Sequence, residues 1–195
     1  MGSKLTEIAC IVDRSGSMDD LREATIDGFN TFLSAQQDAP GRARMTLVLF
    51  NDTYHVVHES ADIGLVPPLT CATYVPDGTT ALLDAVGRTV NDLGCRLDAT
   101  PHARRPGKVV IAILTDGLEN ASQEFSWPQI SEIIRHQQEV YNWEFLFLGA
   151  NQDAIATAAR MSVPAANARN WDASPSGMAE AMSMMCCEVS ARRAP

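Results

Sequence analysis

The sequence predicts an α/β fold, in which a doubly wound, mostly parallel sheet with one antiparallel edge strand is covered by helices on both faces. Short apolar runs alternate with segments whose apolar residues recur at helical spacing, which is the pattern of a parallel sheet with crossover helices. The run "KVVIAIL" (108–114) is apolar on both of its faces, as expected of a strand buried on both sides. The segment "TYHVVHE" (53–59) follows the apolar run at 45–50 so closely that we expect an antiparallel hairpin at an edge.

The first half of the chain supplies the predicted strands at 5–13, 45–50 and 53–59 and two helices. The first helix has apolar residues at helical spacing and acids in its first turn, where they suit the helix dipole, and it ends before Pro40. A long connection at 61–78 leads into the second helix. The apolar face of that helix is formed by Leu82, Leu83, Val86, Val90 and Leu93.

The second half of the chain continues the alternation after the central strand at 108–114. A helix opens at "SWPQ" (126–129), where serine precedes proline and a glutamine stands three residues after the serine. The remaining predicted elements are a strand at 144–149, a helix around 152–161, a weak strand near 163–170 and a helix from Ser174 onward. The 195 residues are predicted to form one domain (1–195), since 46% hydrophobic residues are ample for its core.

The charge balance excludes two classes of partner. Fifteen basic and twenty-four acidic residues give a net charge of −9, which argues against a nucleic-acid surface and against adsorption to an anionic membrane. The only basic cluster, "HARRPGK" (102–108), is interpreted as a solvated loop. The sequence has no apolar stretch long enough to cross a bilayer and no secretory signal at its start, so we expect a cytoplasmic protein.

The cysteine pattern fits the same compartment. The five cysteines include no C-x-x-C pair, while Cys10 lies in a predicted core strand and Cys186 and Cys187 are neighbours in a predicted helix. We therefore expect reduced, mostly buried thiols.

Oxygen-bearing side chains gather where a binding site is expected. In open α/β sheets, sites form beyond the carboxyl ends of the strands. Asp13 ends the first strand, Asp116 ends the strand at 108–114, and "DGTT" (77–80) precedes the second helix. If the chain stays extended past Asp13, the alternating residues Asp13, Ser15 and Ser17 point the same way and suit a hard cation.

Each of these features also has a local explanation. Ser17 with Asp20 resembles a helix capping box, and Thr79 or Thr80 would make a good N-cap for the second helix. The segment "TDG" (115–117) is an ordinary turn sequence. All three features, however, fall at the one edge of the predicted sheet where binding sites belong.

Together these segments resemble the von Willebrand factor type A (vWA) domain, a Rossmann-like α/β domain. "DRSGS" (13–17) resembles its D-x-S-x-S signature, "GTT" (78–80) its G-x-T, and "LTDG" (114–117) its strand-ending aspartate. The chain is similar over nearly its whole length to small, stand-alone bacterial members. The resemblance implies a metal-ion-dependent adhesion site (MIDAS). Because the proposed ligands are hard oxygens without thiolate or imidazole, we expect Mg²⁺ as the cation, with Mn²⁺ or Ca²⁺ able to substitute. The implied metal ligands are Asp13, Ser15, Ser17, Thr80 and Asp116.

The proportion of hydroxyls to carboxylates in this set bears on function. If the hydroxyls contact the cation directly and one or both aspartates act through water, the cation keeps much of its charge and an open position. A carboxylate from outside, such as an Asp or Glu side chain of a partner protein, can then fill that position. The expected function is therefore a metal-dependent protein-binding module for adhesion or scaffolding. Asp19 and Asp20 resemble a second cation site, but we interpret them as acids that complement the helix dipole.

A metal-dependent phosphohydrolase is the alternative, because a strand-end aspartate beside a divalent cation also begins aspartyl-phosphate chemistry. Such an enzyme needs a second carboxylate near Asp13 as acid or base, and Ser15 stands there instead. No lysine or histidine occupies the other two site segments, and no G-x-S-x-G motif is present. We therefore predict a protein without catalytic activity. A structural domain with a vestigial site is the third possibility.

Overall fold

The computed structural model describes residues 4–151 and 153–194, and its centre is a six-stranded sheet. The strands are β1 (Leu5–Asp13), β2 (Arg42–Phe50), β3 (Tyr54–Asp62), β4 (Lys108–Thr115), β5 (Glu144–Ala150) and β6 (Ala168–Trp171). Their order across the sheet is β3-β2-β1-β4-β5-β6, and only the edge pair β2–β3 is antiparallel. The predicted fold class, including the antiparallel edge strand, is confirmed.

Helices cover both faces of this sheet. They are α1 (Arg22–Asp38), α2 (Leu82–Ala99), α3 (Trp127–Tyr141), α4 (Ala154–Arg160) and α5 (Pro175–Arg193). α1 and α5 pack on one face, and α2, α3 and α4 pack on the other. None of the helices in the described part of the chain is both long and apolar enough to cross a membrane.

The central strands β1 and β4 are buried on both faces because their side chains alternate between the two helical layers. In β1, Ile8 and Val12 face α1 and α5, whereas Ile11 faces the opposite layer. β1 and β4 are parallel neighbours, and Val12 pairs with Leu114 in their register. Asp13 and Thr115, one residue further along, therefore emerge side by side at the carboxyl edge of the sheet.

Several predicted elements differ from the structure in their bounds: β2 begins three residues earlier than predicted, and β3 ends three residues later. A 3-10 turn at Gly16–Leu21 precedes α1, so Asp19 and Asp20 lie before that helix and not in its first turn. β6 begins at Ala168, later than predicted, because Pro164 leads into a 3-10 turn at Ala165–Asn167. Proline has no N–H for a strand hydrogen bond, which is consistent with this late start.

The expectation of mostly buried thiols is wrong. All five cysteines are free, but only Cys10 is buried; Cys186 is half-buried, and Cys71, Cys95 and Cys187 are exposed. Cys95 and Cys187 lie on outward-facing positions of α2 and α5, which a count of cysteines does not reveal. By contrast, Met178, Met182 and Met185 of α5 pack into the core.

Candidate metal centre

Asp13 is the last residue of β1, and its carboxylate is completely buried. Both of its oxygens accept hydrogen bonds, from the backbone N–H of Ser15 to Oδ1 at 2.6 Å and from the hydroxyl of Thr115 to Oδ2 at 2.5 Å. The hydroxyl of Tyr74 donates to the Asp13 carbonyl oxygen at 2.6 Å. Asp13 is therefore held in one orientation by donors on each side.

The two serines bring hydroxyls from the turn after β1 towards the end of β4. The chain turns into a 3-10 helix at Gly16 and does not stay extended, yet the Oγ atoms of Ser15 and Ser17 are 3.2 Å apart. The Ser17 hydroxyl donates to Oδ1 of Asp116 at 2.7 Å. Ser17 is not a helix cap, since the N-cap position of the 3-10 turn is Ser15 and no side chain caps it.

Thr80 lies beside the segment that carries Asp116. Its side chain is buried, and a Cβ atom placed on Gly117 would lie 2.9 Å from its Oγ1. Asn120 fixes the Thr80 backbone from both sides: its Oδ1 accepts from the Thr80 N–H at 3.0 Å, and its own N–H donates to the Thr80 carbonyl at 3.0 Å. The N-cap residue of α2 is Ala81, without a side-chain cap, so neither Thr79 nor Thr80 caps α2.

Hydrogen bonds between the loops hold the segment 77–80 against the turn after β1. The Gly16 N–H donates to the Gly78 carbonyl at 3.0 Å, and the Asp77 N–H donates to the Arg14 carbonyl at 2.9 Å. The side-chain amide of Asn51, just after β2, donates to the Asp77 carbonyl at 2.8 Å. Gly78 has a φ of +72°, a backbone conformation that favours glycine.

The loop after β4 is anchored to the first turn of α2 by two acids. The Glu119 carboxylate accepts from the Leu83 N–H at 2.9 Å and from backbone N–H groups of its own loop. Asp84, from the first turn of α2, accepts three backbone hydrogen bonds in return. Its donors are the N–H groups of Gln123, Glu124 and Phe125.

The two site aspartates are buried charges without a basic partner among the described residues. Burial raises the pKa of the Asp13 carboxyl to about 6; the hydrogen bonds from Thr115 and Ser15 oppose this, and the charge of Asp116 adds to it. Burial also raises the pKa of Asp116, and the hydrogen bond from Ser17 opposes it. Ionised carboxylates in such a place are costly unless a cation compensates them.

The side chains at this edge fit a hard divalent cation. All five sequence-predicted residues are brought to the same edge, and they offer two carboxylates and three hydroxyls, with no sulfur or imidazole. Among residues 4–151 and 153–194, no group of three or more His, Cys, Asp or Glu side chains could hold a metal ion. The candidate site is not such a group, because it contains only two carboxylates and is built mainly of hydroxyls.

The supporting residues Asn51, Thr115 and Asn120 are absent from the sequence-based prediction. The sequence around Thr115 is typical of a strand, and only its position next to Asp116 indicates that it could belong to the site. Asn120 and Asn51 act on segments about 40 and 26 positions away, so no local spacing reveals them.

No protein-family model and no curated protein sequence matches this chain. Solved structures do match. Proximal thread matrix protein 1 from the mussel byssus, in a structure with a zinc-occupied MIDAS motif, has a TM-score of 0.63 at 17% identity over 97% of this chain and 46% of that chain. A von Willebrand factor type A structure from Catenulispora acidiphila has a TM-score of 0.60 at 16% identity over 96% of this chain and 43% of that one.

A third match is the vWF domain of the type V pili tip protein Mfa5 from Porphyromonas gingivalis. Its TM-score is 0.67 at 11% identity, over 97% of this chain and 96% of that chain. This chain thus spans less than half the length of the mussel and Catenulispora structures, but nearly all of the pilus domain. The fold of this chain is the vWA-type α/β fold.

Proposed function

We propose that the carboxyl edge of the sheet holds a divalent cation through Asp13, Ser15, Ser17, Thr80 and Asp116, and that the protein uses it to capture an Asp or Glu side chain of a partner protein. The observation that carries this proposal is the hydrogen bond from Ser17 to Asp116 at 2.7 Å, because it brings the loops after β1 and β4 into one cluster of oxygens. Two buried carboxylates in that cluster have no basic partner among the described residues.

The neutral and the charged groups have different roles in this site. Ser15 and Ser17 offer hydroxyl oxygens without adding charge, while Asp13 and Asp116 supply the negative charge that retains a cation. Both carboxylate oxygens of Asp13 already accept hydrogen bonds, which favours contact with a cation through water. When bound, the cation supplies a Lewis-acidic position that accepts a carboxylate oxygen from outside. Ser17 is exposed, so the site is accessible to a partner.

We propose Mg²⁺ as the cation, with Mn²⁺ or Ca²⁺ able to substitute, because every proposed ligand is a hard oxygen. The mussel protein binds zinc in its MIDAS motif, so zinc is the competing outcome to measure. The five free thiols are consistent with a reducing compartment, and a cytoplasmic location is part of the proposal.

One observation favours the phosphohydrolase alternative, since a carboxyl whose pKa is about 6 is suited to proton transfer near neutral pH. The surroundings of Asp13 disfavour it. Its Oδ1 and Oδ2 are held by Ser15 and Thr115, and no described Lys, Arg or His side chain pairs with it. We therefore propose binding without catalysis.

Calorimetric titration with Mg²⁺, Mn²⁺ and Zn²⁺ tests the metal site. Asp13→Ala is expected to weaken Mg²⁺ binding by roughly 10- to 100-fold even if Asp13 acts through water. Asp20→Asn is the matched control, because Asp20 is an exposed acid in the neighbouring turn and is not among the five ligands. Equal Mg²⁺ affinity in the wild type and in folded Asp13→Ala would contradict the assignment, as would stoichiometric zinc in preference to Mg²⁺.

Partner capture needs a separate test. Protein immobilised in Mg²⁺ is expected to retain a partner from its native host, to release it on addition of EDTA, and to lose it in Asp13→Ala but not in Asp20→Asn. A partner that stays bound in excess EDTA docks elsewhere on the protein.

A further inference from the structure

A cavity of about 230 Å³ lies at the amino edge of the sheet, opposite the proposed metal site. Its walls come from the C-terminal halves of α2 and α3 and from the segments that lead into β4 and β5. β4 spans the sheet between the two edges, and its 8 residues correspond to about 25 Å. The cavity is therefore separate from the site described above.

Aromatic side chains form one wall of the cavity. Trp143 lies at its base and is 6% exposed, whereas Tyr141 at the rim is 54% exposed. The rings of His136 and Tyr141 meet edge to face, with centroids 5.7 Å apart. Gly94 on the opposite wall leaves room, because a Cβ atom there would touch only Gln137, at 3.8 Å. The size of the cavity and the rings suit a small planar molecule.

Several polar groups around these rings have no hydrogen-bond partner within residues 4–151 and 153–194. They are the side-chain amide of Gln137, the hydroxyl of Tyr141, the indole N–H of Trp143 and the ring nitrogens of His136. Each of them can donate a hydrogen bond to a ligand oxygen, although only the indole N–H is a donor alone.

Arg105 adds a positive charge to the same wall, and it comes from the only basic cluster in the sequence. Its Nε and Nη2 donate to the carbonyls of Thr100 and Asp98 at 2.9 and 2.8 Å, which fixes the guanidinium while its Nη1 has no partner among the described residues. The Asp98 carboxylate is 3.5 Å away but is 90% exposed, so this ion pair is weak and exchangeable. A guanidinium held in this way is suited to a carboxylate.

We infer that this cavity is a binding site for a small aromatic carboxylate, a single planar ring that carries one carboxyl group. The ring packs against Trp143, Tyr141 and His136, and the carboxylate pairs with Arg105. The volume lies below the range of about 300 to 1,000 Å³ typical of drug-sized ligands, which limits the ligand to about one ring. This site is independent of the proposed metal site and does not rest on its function.

The test uses benzoate, salicylate and nicotinate as probes against the full chain, with binding measured by protein-observed NMR titration. Benzamide and nicotinamide are the uncharged counterparts, and inorganic phosphate is the anion without a ring. The titrations are run in EDTA and again in Mg²⁺. We expect at least one aromatic carboxylate to bind, to shift the resonances of Trp143 and Tyr141, and to do so equally with and without metal.

Two variants with one matched control define the site. Arg105→Gln is expected to weaken the carboxylate about 10- to 100-fold, as loss of a charge-assisted hydrogen bond does, and to leave the weak binding of the amides unchanged. Arg104→Gln is the control, since Arg104 is exposed, adjacent and not part of the cavity wall. Gly94→Leu fills the cavity without removing a donor and is expected to abolish binding. The fold is expected to persist in this variant, because leucine favours a helix more than glycine does.

Several results would overturn the inference. They are no binding of any aromatic carboxylate at millimolar concentration, equal binding of the amides or of phosphate, or equal weakening by Arg104→Gln and Arg105→Gln. Unchanged binding in folded Gly94→Leu would also place the ligand elsewhere.

Discussion

The cost of burying the Asp13 charge can be measured with the variant Asp13→Asn. In the metal-free protein the pKa of Asp13 is raised from 3.8 to about 6, so the folded state holds its proton more tightly than the unfolded state does. The contribution of Asp13 to stability is then fully present below its unfolded pKa and is lost as the pH rises through about 6. A pKa shift of this size corresponds to a total change of about 3 kcal/mol in the free energy of unfolding.

The same linkage gives the change in stability over a pH range that is accessible to experiment. Between about pH 4.5 and about pH 7.5, the free energy of unfolding of the wild type is expected to fall by about 2 kcal/mol relative to that of Asp13→Asn. The reason is that the asparagine side chain does not titrate in this range. The comparison between the two proteins removes the titration of all groups that do not interact with Asp13. Any constant offset from the altered hydrogen bond with Thr115 does not affect the change with pH.

The assay is urea unfolding in EDTA, followed by tryptophan fluorescence at both pH values for both proteins. At the higher pH, Mg²⁺ is then expected to stabilise the wild type and to have little effect on Asp13→Asn. A difference between the two proteins that stays constant with pH, or that moves in favour of the wild type as the pH rises, would refute the reasoning.

Three further predictions concern the same edge of the sheet. Gly117→Ala places a methyl group 2.9 Å from the Thr80 hydroxyl and is expected to lower Mg²⁺ affinity about tenfold in calorimetry. The control Gly94→Ala, in α2, is expected to leave Mg²⁺ affinity unchanged. Equal affinities in the wild type and in both variants would contradict the position assigned to Thr80. Thr80→Ala is expected to reduce partner affinity more than it reduces Mg²⁺ affinity, and an equal loss in both titrations would argue against a special role for Thr80 in partner binding. Purified protein with Mg²⁺ or Mn²⁺ is expected to leave nucleotides and generic phosphoesters intact, and turnover that disappears in Asp13→Asn would favour the phosphohydrolase instead.

Local sequence patterns were sufficient for the fold and for the location of the candidate site. The apolar runs identified the strands, and the ends of those strands placed Asp13 and Asp116 at the carboxyl edge. Ser17 could not be distinguished from a helix cap by spacing alone, because its hydrogen bond to Asp116 spans 99 positions of the chain. The Thr115 contact with Asp13 spans 102 positions and was missed for the same reason. Two points stay predictions: that residues 1–195 form one domain, and that the five oxygen-bearing side chains bind a metal ion.

The register between β1 and β4 has a consequence for folding. Val12 pairs with Leu114, so Asp13 reaches the Thr115 hydroxyl only when these two central strands are aligned correctly. A slip by one residue would turn the side chains of one strand to the other face and separate the carboxylate from its donor. The two strands are far apart in the chain, and their pairing depends on slow, non-local closure. A cation would therefore bind at this edge only in the native state. During refolding, its binding would follow the alignment of the central strands rather than the earlier formation of helices.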